Sequence, residues 1–216
     1  MPLSSVVGAQ SIVKPGVCTS ATRPASPYDG QVIYETDTDR AMVWNNSAWV
    51  VLSTGRANSL GLDLIKTQTI GSAVSTVPVT DAFSATYDAY KIIITGGAAS
   101  AATNLKYQNT GSTTQYYSGG TTTTYSNNSV AGFSDNNQAS MLAGTTFTGS
   151  LVMDITVINP FLAKETFFSI GAVVYSSGAG AGAGLHNVAT SYTGFTIFPQ
   201  SGTLTGGTIY VYGYAK

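Results

Sequence analysis

FTGSLVMDITV, residues 147–157, alternates large or neutral residues with polar ones at almost every step. Phe147, Gly149, Leu151, Met153, Ile155 and Val157 share one side, and Thr148, Ser150, Val152, Asp154 and Thr156 the other. Successive side chains of an extended chain point to opposite faces, so this is the pattern of a half-buried strand with a polar face toward water. No stretch repeats its apolar residues every three to four positions for more than a turn or two, and no longer amphipathic helix is expected.

Working outward, similar runs occur at Ser75–Val79, Tyr90–Thr95, Asn104–Gln108, Thr121–Tyr125, Ser140–Ala143, Thr166–Tyr175, Phe195–Phe198 and Thr208–Tyr214, with turn residues between them. The expectation for residues 67–216 is an all-β, jelly-roll-like sandwich. Two of its strands have no polar face. In the last strand Ile209, Val211 and Gly213 oppose Tyr210, Tyr212 and Tyr214. The tyrosines either cover a neighbouring sheet, with hydroxyls reaching water or backbone at its edge, or pack on a second subunit. The run from Phe167 to Tyr175 is a central strand or a subunit contact on the same reasoning. Residues 108–138 carry one charge, Asp135, among Thr, Ser, Asn, Tyr and Gly. They read as hydroxyl-rich loops, either surface decoration or a sugar-binding surface. SSGAGAGAG, residues 176–184, reads as a flexible loop or a place of close backbone approach.

The N-terminal part has a different texture. Residues 1–21 show no period and read as an irregular arm, and the two X-Pro steps at Pro24 and Pro27 then impose extended backbone. Residues 22–53 form a predicted three-stranded antiparallel meander, with strands at Gln31–Thr36, Ala41–Trp44 and Trp49–Leu52 and Asp- and Asn-rich turns between them. So few strands need a partner surface. Both tryptophans, Trp44 and Trp49, fall here, either as contact anchors or packed on each other across a hairpin. Residues 54–66 read as a linker.

Composition narrows the function. Charged residues are 9% of the 216, against about 25% in an ordinary soluble domain, while Ser and Thr number 54 and Tyr and Phe 21. The aromatics argue against disorder and the low charge favours a place in an assembly. A net charge of −1 with scattered Lys and Arg gives a phosphate backbone nothing to hold, so no nucleic-acid partner is expected. MPLSSVVGAQ lacks the features of a secretory signal, and no window approaches the ~20 apolar residues of a membrane helix, so no membrane insertion is expected. Cys18 is the only cysteine and His186 the only histidine, read as a surface residue. No catalytic, cofactor or metal site is expected, because nucleotide, hydrolase-elbow and EF-hand signatures are all missing.

RPASPYDGQVIYETDTDRAMVWNNSAWVVL resembles a short N-terminal module of tailed-bacteriophage virion proteins, through R-P-x-x-P-x-x-G-Q-x-I-Y-E-T-D-T-x-R followed by N-x-S-A-W-V. GTLTGGTIYVYGYAK is similar to the last strand of the β-sandwich tips of phage fibres. The resemblance implies a virion appendage, a homotrimer assembled in the bacterial host, whose meander attaches to tail or capsid and whose sandwich faces outward. No long shaft separates the two parts, which favours a short fibre or tip. Tyr34, Trp44 and Trp49 are the expected attachment residues, and Tyr210, Tyr212 and Tyr214 the expected subunit contacts. Tyr116, Tyr117, Tyr125 and Asn127 are the expected contacts to a host-surface glycan or protein. The alternatives are a capsid decoration or head-fibre protein and, further off, a glycan depolymerase using Asp135 or Asp154.

Overall fold

The computed structural model describes residues 16–52 and 61–215. The chain is all-β, and no helix occurs among the described residues. It divides into two compact units between Ser59 and Leu60. Residues 1–15 of the expected arm and 54–60 of the expected linker lie outside the described residues.

The first unit is a sheet of β1 (Gly16–Cys18), β2 (Val32–Glu35), β3 (Arg40–Trp44) and β4 (Trp49–Val51), in that order. Strands β2 to β4 are the expected antiparallel meander. The difference is β1, which lies in the expected irregular arm and pairs parallel to β2, with Val17 opposite Tyr34. Residues of the R-P…E-T-D-T pattern explain it. Arg23 Nε pairs with Glu35, which is 1% exposed and also accepts a hydrogen bond from Thr38 Oγ1 at 2.7 Å. The Ser20 backbone N–H donates to Asp37 at 2.9 Å. These contacts hold residues 16–23 against the hairpin, and the Arg23 contact, ahead of Thr38, keeps the Glu35 carboxyl below the ordinary carboxylate range.

The second unit holds β5 (Leu62–Thr69), β6 (Val77–Val79), β7 (Ala89–Thr95), β8 (Ala98–Ala99), β9 (Thr103–Asn109), β10 (Tyr116–Thr124) and β11 (Val130–Gln138). It continues with β12 (Met141–Phe147), β13 (Ser150–Ile158), β14 (Thr166–Tyr175), β15 (Gly178–His186), β16 (Phe195–Pro199), β17 (Leu204–Thr205) and β18 (Thr208–Tyr214). β5 occupies part of the expected linker.

β13 organises the rest. One edge pairs with β7 over residues 153–158, while the other is shared, β12 taking residues 150–153 and β14 residues 155–158. The sheet therefore forks. One branch runs β5-β18-β7-β13-β14-β15-β10-β11, and the other continues through β12-β9-β16-β6. The branches close on each other as two layers, with Tyr107 of β9 edge-on to Phe168 of β14 at 5.2 Å. Leu151, Met153, Ile155 and Val157 fill the space between them together with Ile92, Leu105, Phe195, Ile197, Ile209 and Val211, all 7% exposed or less. Burying each such side chain contributes about 1.5–3 kcal/mol.

Three expectations from the sequence change here. Residues 147–157 are not one strand: Phe147 pairs with Ser150 across a two-residue turn in which Gly149 has φ 95°, and the alternation that builds β13 begins at Ser150. Residues 108–138 are not mainly loops, because β10 and β11 are nine-residue strands paired as a hairpin. Residues 176–184 are not a loop beyond the turn at Ser176 and Ser177, and the other reading given for them, a place of close backbone approach, is the one realised. Gly178–His186 is a strand between β14 and β10, with its glycines inward and its alanines outward. The glycines are required by close approach, since a Cβ on Gly182 would lie 2.6 Å from the Gly119 carbonyl oxygen and 2.9 Å from the Phe133 ring. Gly182→Val should destabilise this unit by about 1–3 kcal/mol through overpacking. The outward Ala183→Val should leave the unfolding free energy within about 0.5 kcal/mol of the parent, read from chemical denaturation. Equal effects of the two would contradict this placement.

Candidate functional site

Register places an unusual row on the outer face of the larger branch. Leu62 sits opposite Tyr214, which Gly213–Tyr90 pairing puts beside Ala89; then follow Ile158, Phe167, Leu185 and Tyr117, each opposite the last. This row crosses seven strands without a charge. Leu62, Tyr214, Ile158 and Phe167 are 46%, 39%, 39% and 45% exposed, so four of its members offer large apolar surface to water. Contiguous apolar surface of this kind is a candidate contact face. Farther along the same strands charge enters the face, with Lys91 paired to Asp154 and Ser169 and Ala183 beside them, while Leu64 opposite Tyr212 remains 43% exposed.

The opposite end of these strands is built differently. There the β12–β13 turn, the β14–β15 turn at Ser176 and Ser177, and the β10–β11 turn lie together, the last joined to the second by the Tyr125 N–H donating to the Ser177 carbonyl at 2.8 Å. A cavity of about 250 Å³ opens among Ala102, Thr103, Asn104, Thr146, Phe147, Tyr175, Ser176 and Ser177. The Tyr175 hydroxyl donates to Asn104 Oδ1 at 3.3 Å, bridging the two layers, and Asn104 Nδ2 donates to Gln200 Oε1 at 3.2 Å. Partial burial raises the Tyr175 phenol above its ordinary value. Buried Thr146 donates to the Ala101 carbonyl at 2.8 Å and accepts from the Thr103 N–H at 3.0 Å, fixing the cavity wall.

These two ends sort the expected contact residues. Tyr125 and Asn127 are exposed at the hairpin end, Tyr117 belongs to the apolar row, and Tyr116 is fully buried. Tyr116 is therefore no surface contact. Its hydroxyl accepts the Asn109 backbone N–H at 2.7 Å, its ring stacks on His186 at 4.3 Å, and burial raises its phenol. The tyrosines of β18 face outward one strand in from the edge of the branch, with Tyr210 and Tyr212 stacked at 6.3 Å and Tyr214 in the row. Asn104, Phe147, Tyr175, Ser176 and Ser177 were not legible as a site, because they come from three separate segments.

In the first unit the expected attachment residues fall on opposite faces. Trp44 and Trp49 lie opposite each other, edge to face at 5.7 Å, on the face of Ile33 and Met42, which are 2% and 5% exposed. They pack on each other, and each keeps part of its surface exposed. Tyr34, hydrogen-bonded to Asp39, lies on the other face between Val17 and Ala41, alongside Val32, Val43 and Val50. Val17 is 69% exposed, so this second face is apolar and open.

His186 is the other correction, being wholly buried rather than at the surface. Ser112 Oγ lies 2.7 Å from Nε2 and Asn109 Nδ2 lies 3.2 Å from Nδ1. Serine, histidine and amide in line suggest a nucleophile with its base. The network argues otherwise. With the Tyr107 hydroxyl donating to Asn109 Oδ1 at 2.7 Å, Asn109 turns its amide N–H toward Nδ1, and in the tautomer that this arrangement favours Nε2 carries the proton and gives Ser112 a hydrogen bond. Asp135 and Asp154 are not brought together as a cleavage pair, since each is engaged by a different lysine on a different strand. Each faces a lysine, Lys106 at 3.7 Å and Lys91. Among the described residues no cluster of His, Cys, Asp and Glu could hold a metal.

No family model, curated protein or solved structure matches the chain.

Burial lowers the His186 pKa, with the Thr114 carbonyl opposing in part. The unfolded chain thus takes the proton first as pH falls. The contribution of neutral His186 is complete above about pH 6.5 and is lost as pH falls toward the lower folded pKa. Chemical denaturation from pH 8 to 5 should show the second unit losing stability below about pH 6.5, with a slope approaching one proton. A flat profile would contradict the buried neutral ring.

Proposed function

We propose that this chain is a structural subunit of a bacteriophage virion, a short appendage that self-associates through its sandwich, attaches through its N-terminal unit and presents the hairpin end of the sandwich outward. The observation that carries this reading is the separation of surfaces along the strands. The charge-free row lies at the end where the chain passes into the second unit, at Leu62, and the uncharged polar cavity lies at the other. From Phe167 to Tyr175 is eight residues of one strand, roughly 26 Å. Contact along the row leaves the cavity free.

The sequence pattern shared with phage attachment modules supports the same reading, and so does the open Val17–Tyr34–Val50 face, which gives such a module something to bury. Seven strands about 4.8 Å apart and one row about 6.6 Å deep give the apolar row roughly 220 Å², the size of the central part of an interface to which each partner contributes about 800 Å².

Sedimentation at micromolar concentration should find a homo-oligomer, a trimer on the phage resemblance. Phe167→Asp should weaken association at least about 30-fold, as loss of a contact centre does, while the melting transition of the unit persists. A parent chain that sediments as a monomer would overturn the assembly. For attachment, Val50→Asp on the open face should abolish incorporation into particles, with Tyr34→Phe as a milder variant on that face. Incorporation of Val50→Asp at the parental level would overturn the attachment role.

A further inference from the structure

We infer that the cavity between the layers at the hairpin end is a binding subsite for one neutral sugar ring. The inference rests on the reading that this end faces outward, and it names both a ligand class and a site. The lining has no carboxylate, lysine, arginine or histidine, and its one phenol, Tyr175, is held neutral by a raised pKa, so a buried phosphate, carboxylate or ammonium would find no counter-charge. A purely apolar ligand fits no better, because it would strip water from Asn104 and three hydroxyls without replacing their hydrogen bonds. A neutral polyol meets both conditions, since every hydroxyl both donates and accepts.

The polar groups are partly free for such a ligand. Asn104 uses Oδ1 for the Tyr175 hydroxyl and one Nδ2 hydrogen for Gln200, leaving a lone pair and a second N–H. The hydroxyls of Thr103, Ser176 and Ser177 have no hydrogen-bond partner among the described residues. Phe147 and Tyr175 supply ring surface on which the C–H face of a pyranose can lie. The wall is set in advance: buried Thr146 ties residues 101 and 103 in place, so little ordering is needed on binding. At about 250 Å³ the space is smaller than the roughly 300–1,000 Å³ of sites for larger ligands and suits one ring. Exposed Tyr125, joined through its N–H to the Ser177 carbonyl, stands beside the mouth, where the next residue of a glycan chain would pass.

Saturation-transfer NMR on the full chain, with glucose, galactose, mannose and N-acetylglucosamine as probes and glucuronate and inorganic phosphate as charged comparators, tests the site. At least one neutral hexose should bind with a dissociation constant on the order of millimolar. Asn104→Ala should weaken it at least tenfold. Ser176→Phe, in an exposed turn and so neutral for folding, should block the mouth and abolish it. No signal from any neutral hexose, a signal unchanged in the folded Ser176→Phe variant, or stronger binding of glucuronate or phosphate would each overturn the subsite. Sedimentation of the same samples separates the two claims: an oligomer that ignores sugars refutes the subsite alone, and a sugar-binding monomer refutes the assembly alone.

Discussion

One edge of β13 is divided between two neighbours, and the architecture of the second unit depends on that division. A strand paired with one partner per edge would extend a single open sheet, leaving Leu151, Met153, Ile155 and Val157 on a face that water could reach. Here β12 peels away after Met153 and β14 takes over from Ile155. The two branches are forced into separate layers, and the inward face of β13 becomes the floor of the core between them. The bulge in β14 between Ile170 and Val173, where Gly171 passes Asp154, marks where the layers diverge.

The fork also decides what lies at each end of the strands. Beyond Met153 the layers part, and the gap between Asn104 and Tyr175 is the cavity, spanned by a single hydrogen bond between their side chains. At the other end the strands stay paired in register across seven neighbours, which lines up Leu62, Tyr214, Ile158, Phe167 and Leu185 as a continuous apolar row. A chain with 9% charged residues has few means of keeping such a row soluble alone. The same scarcity of charge leaves the cavity neutral. One compositional bias thus produces an exposed apolar row at one end and a hydroxyl-lined hollow at the other.

Much of the fold was legible because period-two alternation reports directly on which face is buried. Leu151, Met153, Ile155 and Val157 are all inside, as are Ile209 and Val211 in the final strand. What failed was any inference that needed knowledge of the neighbouring strand. The glycines of residues 178–184 look like a loop until Gly119 and Phe133 press against their inner face. The Thr- and Asn-rich residues of β10 and β11 carry little strand propensity of their own and are held by pairing. Tyr116 and His186 look like surface residues because their polar atoms are satisfied by each other's surroundings, a network assembled from three segments. β1 escaped notice because its pairing depends on Arg23 and Ser20 reaching carboxylates a dozen or more residues away. Of the candidate contacts, Tyr125 falls beside the cavity, bonded to Ser177, and Asn127 lies in the same exposed turn, while nothing in the sequence joins Asn104, Phe147 and Tyr175.

The central claim, that association and recognition occupy opposite ends of one sandwich, is tested most directly by hydroxyl-radical footprinting of the chain at high and low concentration. Phe167 and Tyr214 should react at low concentration and become protected at high concentration, while Tyr125 and Tyr175 keep the same reactivity throughout. Protection of Tyr125 and Tyr175 on concentration, with Phe167 still reactive, would contradict it.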